Sequence, residues 1–244
     1  MPTQFEEVTT VLRQWILEGR YGPGEKLAEI PLAESLAVSR TPVRLALAEL
    51  EKEGLVEQRP RRGFSVRRFS RDDVADAIDV RGMLEGAAAA RLASAGVDAE
   101  TRQVLRACLA EGRQMLATAT FASGTERQHW VDNNNRFHAA IIEAGGNLAL
   151  RAALDQVMRL PLAAPAAILF DAGVPETLLS RLRGAHDDHV RIVDALARGE
   201  AARADALMRE HAYASRDNKL AAFDDRNREP EIRRLPGAEL VMAE

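Results

Sequence analysis

The sequence predicts a mainly α-helical chain in two parts, an N-terminal winged helix-turn-helix over residues 1–69 and an antiparallel all-helical bundle over residues 70–220. Three observations carry that prediction. Apolar residues recur at three- and four-residue spacing through most of the 244 residues. Turns rich in glycine and proline cut that pattern into helix-sized pieces. Strand-like stretches are confined to residues 55–66.

Phe5, Val8, Leu12 and Ile16 form the buried stripe of a first helix, which stops at Gly19 and the turn Tyr21-Gly22-Pro23-Gly24. A short second helix runs through Leu32 to Leu36. After the break Ala37-Val38-Ser39 a third begins, with Thr41 placed to cap it and Pro42 suited to its first turn. Val43, Ala46, Leu47 and Leu50 are its apolar face, and Gly54 ends it. Two short helices joined by a tight turn make a helix-turn-helix. Leu55 to Gln58 and Phe64 to Val66 then read as two strands joined by Arg59-Pro60-Arg61-Arg62-Gly63, which is a wing.

Charge gives this head a partner. Residues 1–70 hold 11 Lys/Arg against 10 Asp/Glu, and the remainder holds 22 against 27. Between Arg59 and Arg71 stand six arginines and no acid. A run of that kind is ordinarily a solvated surface, but here it sits on a wing beside a helix that exposes Arg40, Thr41 and Arg44 near its N-terminus, the end that a recognition helix presents to base edges. Guanidinium groups on the wing suit phosphates or the minor groove. Double-stranded DNA is the expected partner.

The stretches Gly24-Glu25-Lys26-Leu27-Ala28-Glu29, Val38-Ser39-Arg40-Thr41-Pro42-Val43-Arg44, Glu53-Gly54-Leu55-Val56 and Arg62-Gly63-Phe64-Ser65-Val66 resemble the DNA-binding domain of the GntR family of bacterial transcription regulators. The resemblance implies that Arg40, Thr41 and Arg44 reach operator bases or their flanking phosphates. Ser39, Arg61 and Arg62 complete that surface, and Gly63 lets the wing approach DNA closely.

Ser70-Arg71-Asp72-Asp73 carries the Ser-x-x-Asp start of a helix, so the linker to the second part is very short. Turns at Ala95-Gly96, Gly145-Gly146-Asn147, residues 171–175 and Gly199 separate the helices that follow. Residues 221–244 are charged and proline-containing and read as a loose, flexible tail. In the opening helix, Arg81 shares the apolar face of Val74, Ile78, Leu84 and Ala88 and needs an anion. Glu85, one turn on, offers a structural salt bridge; a bound acid is the functional alternative.

Trp130, Asn134, Phe137, His138 and Ile141 form another stripe, with Asn134 and His138 one turn apart. His189 lies on the stripe of Leu182, His186, Val193 and Leu196, and His211 on that of Ala204, Met208 and Ser215. His189 precedes Gly199 by 10 residues and His211 follows it by 12, so a hairpin folded there brings the two rings to similar height. Three imidazoles and one amide can then converge, either on a divalent transition metal such as zinc or nickel or as a metal-free polar network. His186 is a second-layer or competing ligand, and His129, off the stripes, is structural or exposed. A hydrolase that activates water on such a metal is the competing class. No separate general base stands beside the histidines, and an enzyme has no use for the head.

Asp79-Val80-Arg81, Leu84-Glu85, Asn134-Asn135-Arg136-Phe137-His138, Gly146-Asn147, His189 through Leu196, and His211 resemble the FCD ligand-binding domain of the FadR-type branch of GntR regulators. Val80-Arg81-Gly82-Met83-Leu84-Glu85-Gly86 is similar in particular to the vanillate-operon repressors. By that resemblance Asn134, His138, His189 and His211 surround a metal below a carboxylate effector that Arg81 also holds. Asn in place of Asp at 134 is a departure that bears on which ion binds. The implied function is a homodimeric, ligand-responsive repressor of a catabolic operon. It binds a palindromic operator and is released by a small carboxylic acid, aromatic acids included.

Composition bounds the rest. At 29% charged and 46% hydrophobic, the chain is neither disordered nor fibrous. No apolar run approaches the ~20 residues of a membrane span. The start MPTQFEEVTT lacks a secretory pattern, so a cytoplasmic protein without a membrane partner is expected. The single Cys108 excludes an internal disulfide and a cysteine-based zinc cluster.

Overall fold

The computed structural model describes residues 3–59, 63–170, 175–225 and 228–241. The chain divides into two compact units: Met1–Val74 with Arg159–Leu162 and Arg233–Glu244, and Ala75–Met158 with Ala163–Ile232.

The first unit opens with α1 (Gln4–Leu17), started by a reciprocal box in which the Thr3 hydroxyl accepts from Glu6 N–H and the Glu6 carboxylate accepts from Thr3 N–H. Then come β1 (Lys26–Leu27), α2 (Glu29–Ser35), α3 (Arg40–Lys52), β2 (Val56–Arg59) and β3 (Gly63–Val66). The sheet runs β1-β3-β2 and is antiparallel throughout, with Lys26 opposite Ser65 and Val56 opposite Val66. The wing is therefore the β2–β3 hairpin, and β1 pairs along its other edge. Two residues are too few to alternate, which is why β1 leaves no trace in the hydrophobic pattern.

Leu12, Ile16, Leu47, Leu50, Leu55 and Val66 fill the core of this unit. Beside it, Glu53 is buried at the end of α3 and accepts from Arg13 through both oxygens, at 2.8 and 2.6 Å, and from Arg159. That bidentate contact ties α1 to the end of α3. The start of α3 corrects one expectation. Ser39, extended at φ −72° and ψ 167°, occupies the cap position, and Thr41 lies inside the helix. Pro42 still falls in the first turn, where its missing N–H costs nothing.

The stretch expected to be loose is also different. In the second unit, the last long helix runs on to Asp224 and Ile232 is buried. In the first unit, a 3-10 turn (Ala238–Leu240) buries Ala238, Leu240 and Val241. The Gly237 N–H donates to the Leu17 carbonyl at 2.8 Å, and the Phe69 N–H donates to the Leu240 carbonyl at 3.1 Å. Gly237 turns at φ +83°, close against Pro161 and Leu17. Its apolar residues are few and without a helical period, so the stretch reads as solvated although its side chains are covered.

The second unit is a bundle built on α4 (Arg71–Ala95), α5 (Ala99–Thr118), α6 (Gly124–Ala144), α7 (Leu148–Met158), α8 (Pro175–Ala197) and α9 (Ala201–Asp224), with a short α10 (Glu229–Ile232). The box that starts α4 is formed: Asp73 N–H donates to the Ser70 hydroxyl at 3.0 Å, and Ser70 N–H donates to the Asp73 carboxylate at 2.7 Å. Leu92, Phe137, Ile141, Leu154, Ile192 and Met208 lie at the centre of the main core. A second cluster gathers Phe121, Trp130, Leu178 and Leu182, with Phe121 edge-on to Trp130 at 5.6 Å between centroids. No helix among the described residues is long and apolar enough to cross a membrane.

Gly82 and Gly86 let α4 lie close along α9. A methyl group at 82 would stand 2.7 Å from the Ala212 Cβ, and one at 86 would stand 2.6 Å from Asp205 Oδ1 and 3.0 Å from its carbonyl. This approach puts Arg81 and Glu85 against the helix that carries His211. Gly82→Val is expected to push the helices apart and cost roughly 3 kcal/mol of stability. Urea unfolding followed by circular dichroism measures it, and a wild-type midpoint would contradict the close packing.

Candidate functional site

In the first unit, α2 and α3 form the helix-turn-helix, and Ser39, Arg40, Thr41 and Arg44 all lie exposed at the N-terminal half of α3. The Arg40 guanidinium is held by Glu29 of α2 at 3.1 Å. Gly63 begins β3 at φ +78° with open space where a side chain would be. Arg61 and Arg62 lie outside the described residues.

In the second unit, a cavity of about 310 Å³ is lined by residues of α4, α6, α8 and α9 and of the segment after α7. His138 and His211 line it, and His189 lies against both, with one nitrogen of each of the three within 4.8 Å of the others. His189 Nε2 and His211 Nε2 are 3.3 Å apart. Two ligands of a tetrahedral ion bound at about 2.0–2.1 Å stand at roughly that separation. Asn134 lines the same cavity one turn before His138, its Nδ2 donating to the Pro165 carbonyl at 3.2 Å.

Carboxylates stand behind two of the rings. Glu85 Oε1 is 3.1 Å from His138 Nδ1, and Asp188 Oδ2 is 3.4 Å from His211 Nδ1. Such contacts orient an imidazole so that its Nε2 faces inward, and they raise its basicity as a ligand. The Phe137 ring stacks on His189 at 3.8 Å between centroids and fixes its plane. Burial, then the neighbouring imidazoles, pushes His189 well below the usual imidazole range; burial lowers His211 in spite of Asp188. Both rings are therefore neutral near pH 7, the form that ligates metal. His138 Nδ1 is near Glu85 in distance, yet neither His138 nitrogen and neither Glu85 oxygen finds a hydrogen-bond partner of good angle. Converging imidazole nitrogens, one pair of them face to face, fit a divalent transition ion such as zinc or nickel.

Arg81 is 1% exposed. Its Nη1 donates to the Ala163 carbonyl at 2.6 Å, and its Nε is 3.5 Å from Glu85 Oε2. The guanidinium thus stands beside the Glu85 carboxylate and also lines the cavity. Burial is the largest influence on Glu85 and raises it, but His138, Arg81 and His211 together outweigh it and hold the carboxyl at about 2.

His186 does not join the cluster; it packs against Gly112 of α5, with Nδ1 2.8 Å from where a Cβ would be. His129 is exposed. Three neighbours of the site escaped the sequence reading in these roles: Glu85 behind His138, Asp188 behind His211, and Lys219, which is buried and lines the cavity. Lys219 continues the stripe of His211 and Ser215 at four-residue steps, so its signal was periodic.

A winged helix-turn-helix with basic side chains on its outer helix, followed by a helical domain with a polar cavity, is the architecture of a bacterial transcription regulator. Residues 4–66 match the gntR family of bacterial regulatory proteins, and residues 76–214 match the FCD domain. The chain belongs to the GntR family and combines its DNA-binding domain with an FCD domain. It is similar to the uncharacterized HTH-type transcriptional regulator YdhC of Bacillus subtilis, 32% identical over 60% of this chain and 62% of that protein, so the match spans just under two thirds of that relative. The probable D-xylose utilization operon transcriptional repressor of Paenarthrobacter nicotinovorans is 29% identical over 82% of this chain and 81% of its own length. Among solved structures, E. coli McbR/YncC shares the fold with a TM-score of 0.59 at 23% identity, covering 91% of this chain and 97% of that one. As a member of this family the protein is a DNA-binding transcription regulator and not an enzyme.

Proposed function

We propose that this protein is a cytoplasmic, homodimeric repressor of a catabolic operon that leaves its operator when a small carboxylic acid, aliphatic or aromatic, enters the cavity of the second unit. The observation that carries this reading is the cluster of His138, His189 and His211, two of which line with Arg81 one cavity of an FCD domain. His138, His189 and His211, with Asn134 alongside, hold the zinc or nickel ion. When bound, such an ion would supply a fixed positive charge that attracts a carboxylate. Arg81 orients the acid through its guanidinium, and the Glu85 carboxylate stands behind the His138 ring, 3.1 Å from its Nδ1. Ser39, Arg40, Thr41 and Arg44 read the operator, Arg61 and Arg62 reach its phosphates, and Gly63 brings the wing close to the backbone. A two-fold dimer meets a two-fold operator. If the acid binds the DNA-incompetent arrangement more tightly, binding alone empties the operator.

Arg44→Ala tests the DNA half. Against an operator selected from random duplexes with the wild-type protein, affinity is expected to fall about 10- to 100-fold. Acid binding and the melting temperature stay near wild type, and the salt slope becomes shallower. Unchanged operator affinity in a fluorescence-anisotropy titration would remove α3 from the reading of bases.

A further inference from the structure

The cavity holds a cation that forms no ion pair with an acid among the described residues. Lys219 is 4% exposed, and its Nζ donates to the Ser215 hydroxyl at 2.8 Å. Among the described residues no Asp or Glu forms an ion pair with it. Asp188 on the cavity wall stands by His211 and Arg191, and Glu85 behind the wall stands by Arg81 and His138. Burial, and next the Arg81 guanidinium, brings the Lys219 ammonium down to about 7. Its charged form is unfavourable in such surroundings unless an anion lies beside it.

Its placement gives the anion a direction. His211, Ser215 and Lys219 follow one another at four-residue steps on α9, and all three line the cavity. Helical side chains lean toward the N-terminus, and the Lys219 amine reaches back as far as Ser215. That leaves roughly one helical turn, ~6 Å of rise, between the amine and the level of His211. A monocarboxylate at the imidazoles would leave this amine with no counter-charge.

We propose that the effector is a small dicarboxylic acid, one carboxylate lying at the three imidazoles and Arg81 and the other at the Lys219 amine, so that Lys219 selects diacids over monoacids of the same skeleton. This rests on the effector reading above and names its chemical class. A rigid or short chain that separates two carboxylates by about one helical turn fits the arrangement. Glutarate with pentanoate, adipate with hexanoate, and isophthalate with benzoate are the matched probes.

The experiment is calorimetric titration of each pair into the full-length protein loaded with zinc, and separately with nickel, on wild type, Lys219→Met and Lys219→Arg. In wild type at least one diacid is expected to bind about tenfold or more tighter than its monoacid partner. Lys219→Met brings that ratio close to one, and Lys219→Arg keeps a preference for the diacid. If wild type binds every monoacid as tightly as its diacid, or if Lys219→Met keeps the full preference, the proposal is overturned and the carboxylate-effector reading stands. If no acid of either kind binds the folded, loaded protein, both are overturned. Should Lys219→Met not fold, the wild-type ratio and the Lys219→Arg titration decide between the same outcomes.

Discussion

Glu85→Ala is expected to destabilise the second unit by about 3–5 kcal/mol, the usual cost of removing one member of a buried charged group. Glu85 is fully buried between Arg81 and His138. Without it the Arg81 guanidinium remains 1% exposed with its carboxylate gone, and His138 Nδ1 loses the oxygen 3.1 Å away. Against a domain stability of about 5–15 kcal/mol, this is a large share. Denaturant unfolding of the variant measures it, and a loss under ~1 kcal/mol would mean that the site relaxes around the gap. The sign with pH is also set. The carboxyl sits at about 2 in the fold against 4.5 when free, so its ion pairs stabilise the protein fully above pH 4.5. They are lost as pH falls from there toward 2. Glu85→Ala should lack that part of the acid slope.

His138→Ala is expected to weaken metal binding by more than the 10- to 100-fold that follows loss of an outer-layer partner, because it deletes a nitrogen of the cluster itself. After dialysis against free zinc or nickel, elemental analysis should find about one ion per wild-type chain and nearly none on the variant. Release of operator DNA by carboxylic acids should be blunted in parallel, and a chelator should reproduce the effect in wild type. A full acid response from metal-free protein would exclude the ion from the switch and leave the histidines as direct partners of the acid.

Much of this was legible in the sequence because it is periodic. Helix faces follow from apolar spacing, and His189 and His211 sit at nearly equal distances from Gly199, so their approach is a matter of helix rise. The Arg81–Glu85 pair is visible as an i, i+4 spacing. What spacing does not carry is cross-helix geometry. Glu85 lies as near to His138 of α6 as to its helical neighbour Arg81, and nothing local to residue 85 reveals that. Lys219 looks like the solvated end of a helix until burial is known. Residues 233–241 fail for another reason: their few apolar side chains are covered by contacts with residues more than two hundred positions earlier, such as Leu17.

Those contacts bear on how the molecule is made. The unit that carries α3 takes in the segment Arg233–Glu244, which the ribosome reaches only after every helix of the second unit. An emerging chain therefore displays α3 over an unfinished core, with the Leu17 carbonyl and the Phe69 amide still unengaged by their late partners. The core beneath α3 is thereby completed only after the helices of the second unit have been synthesised.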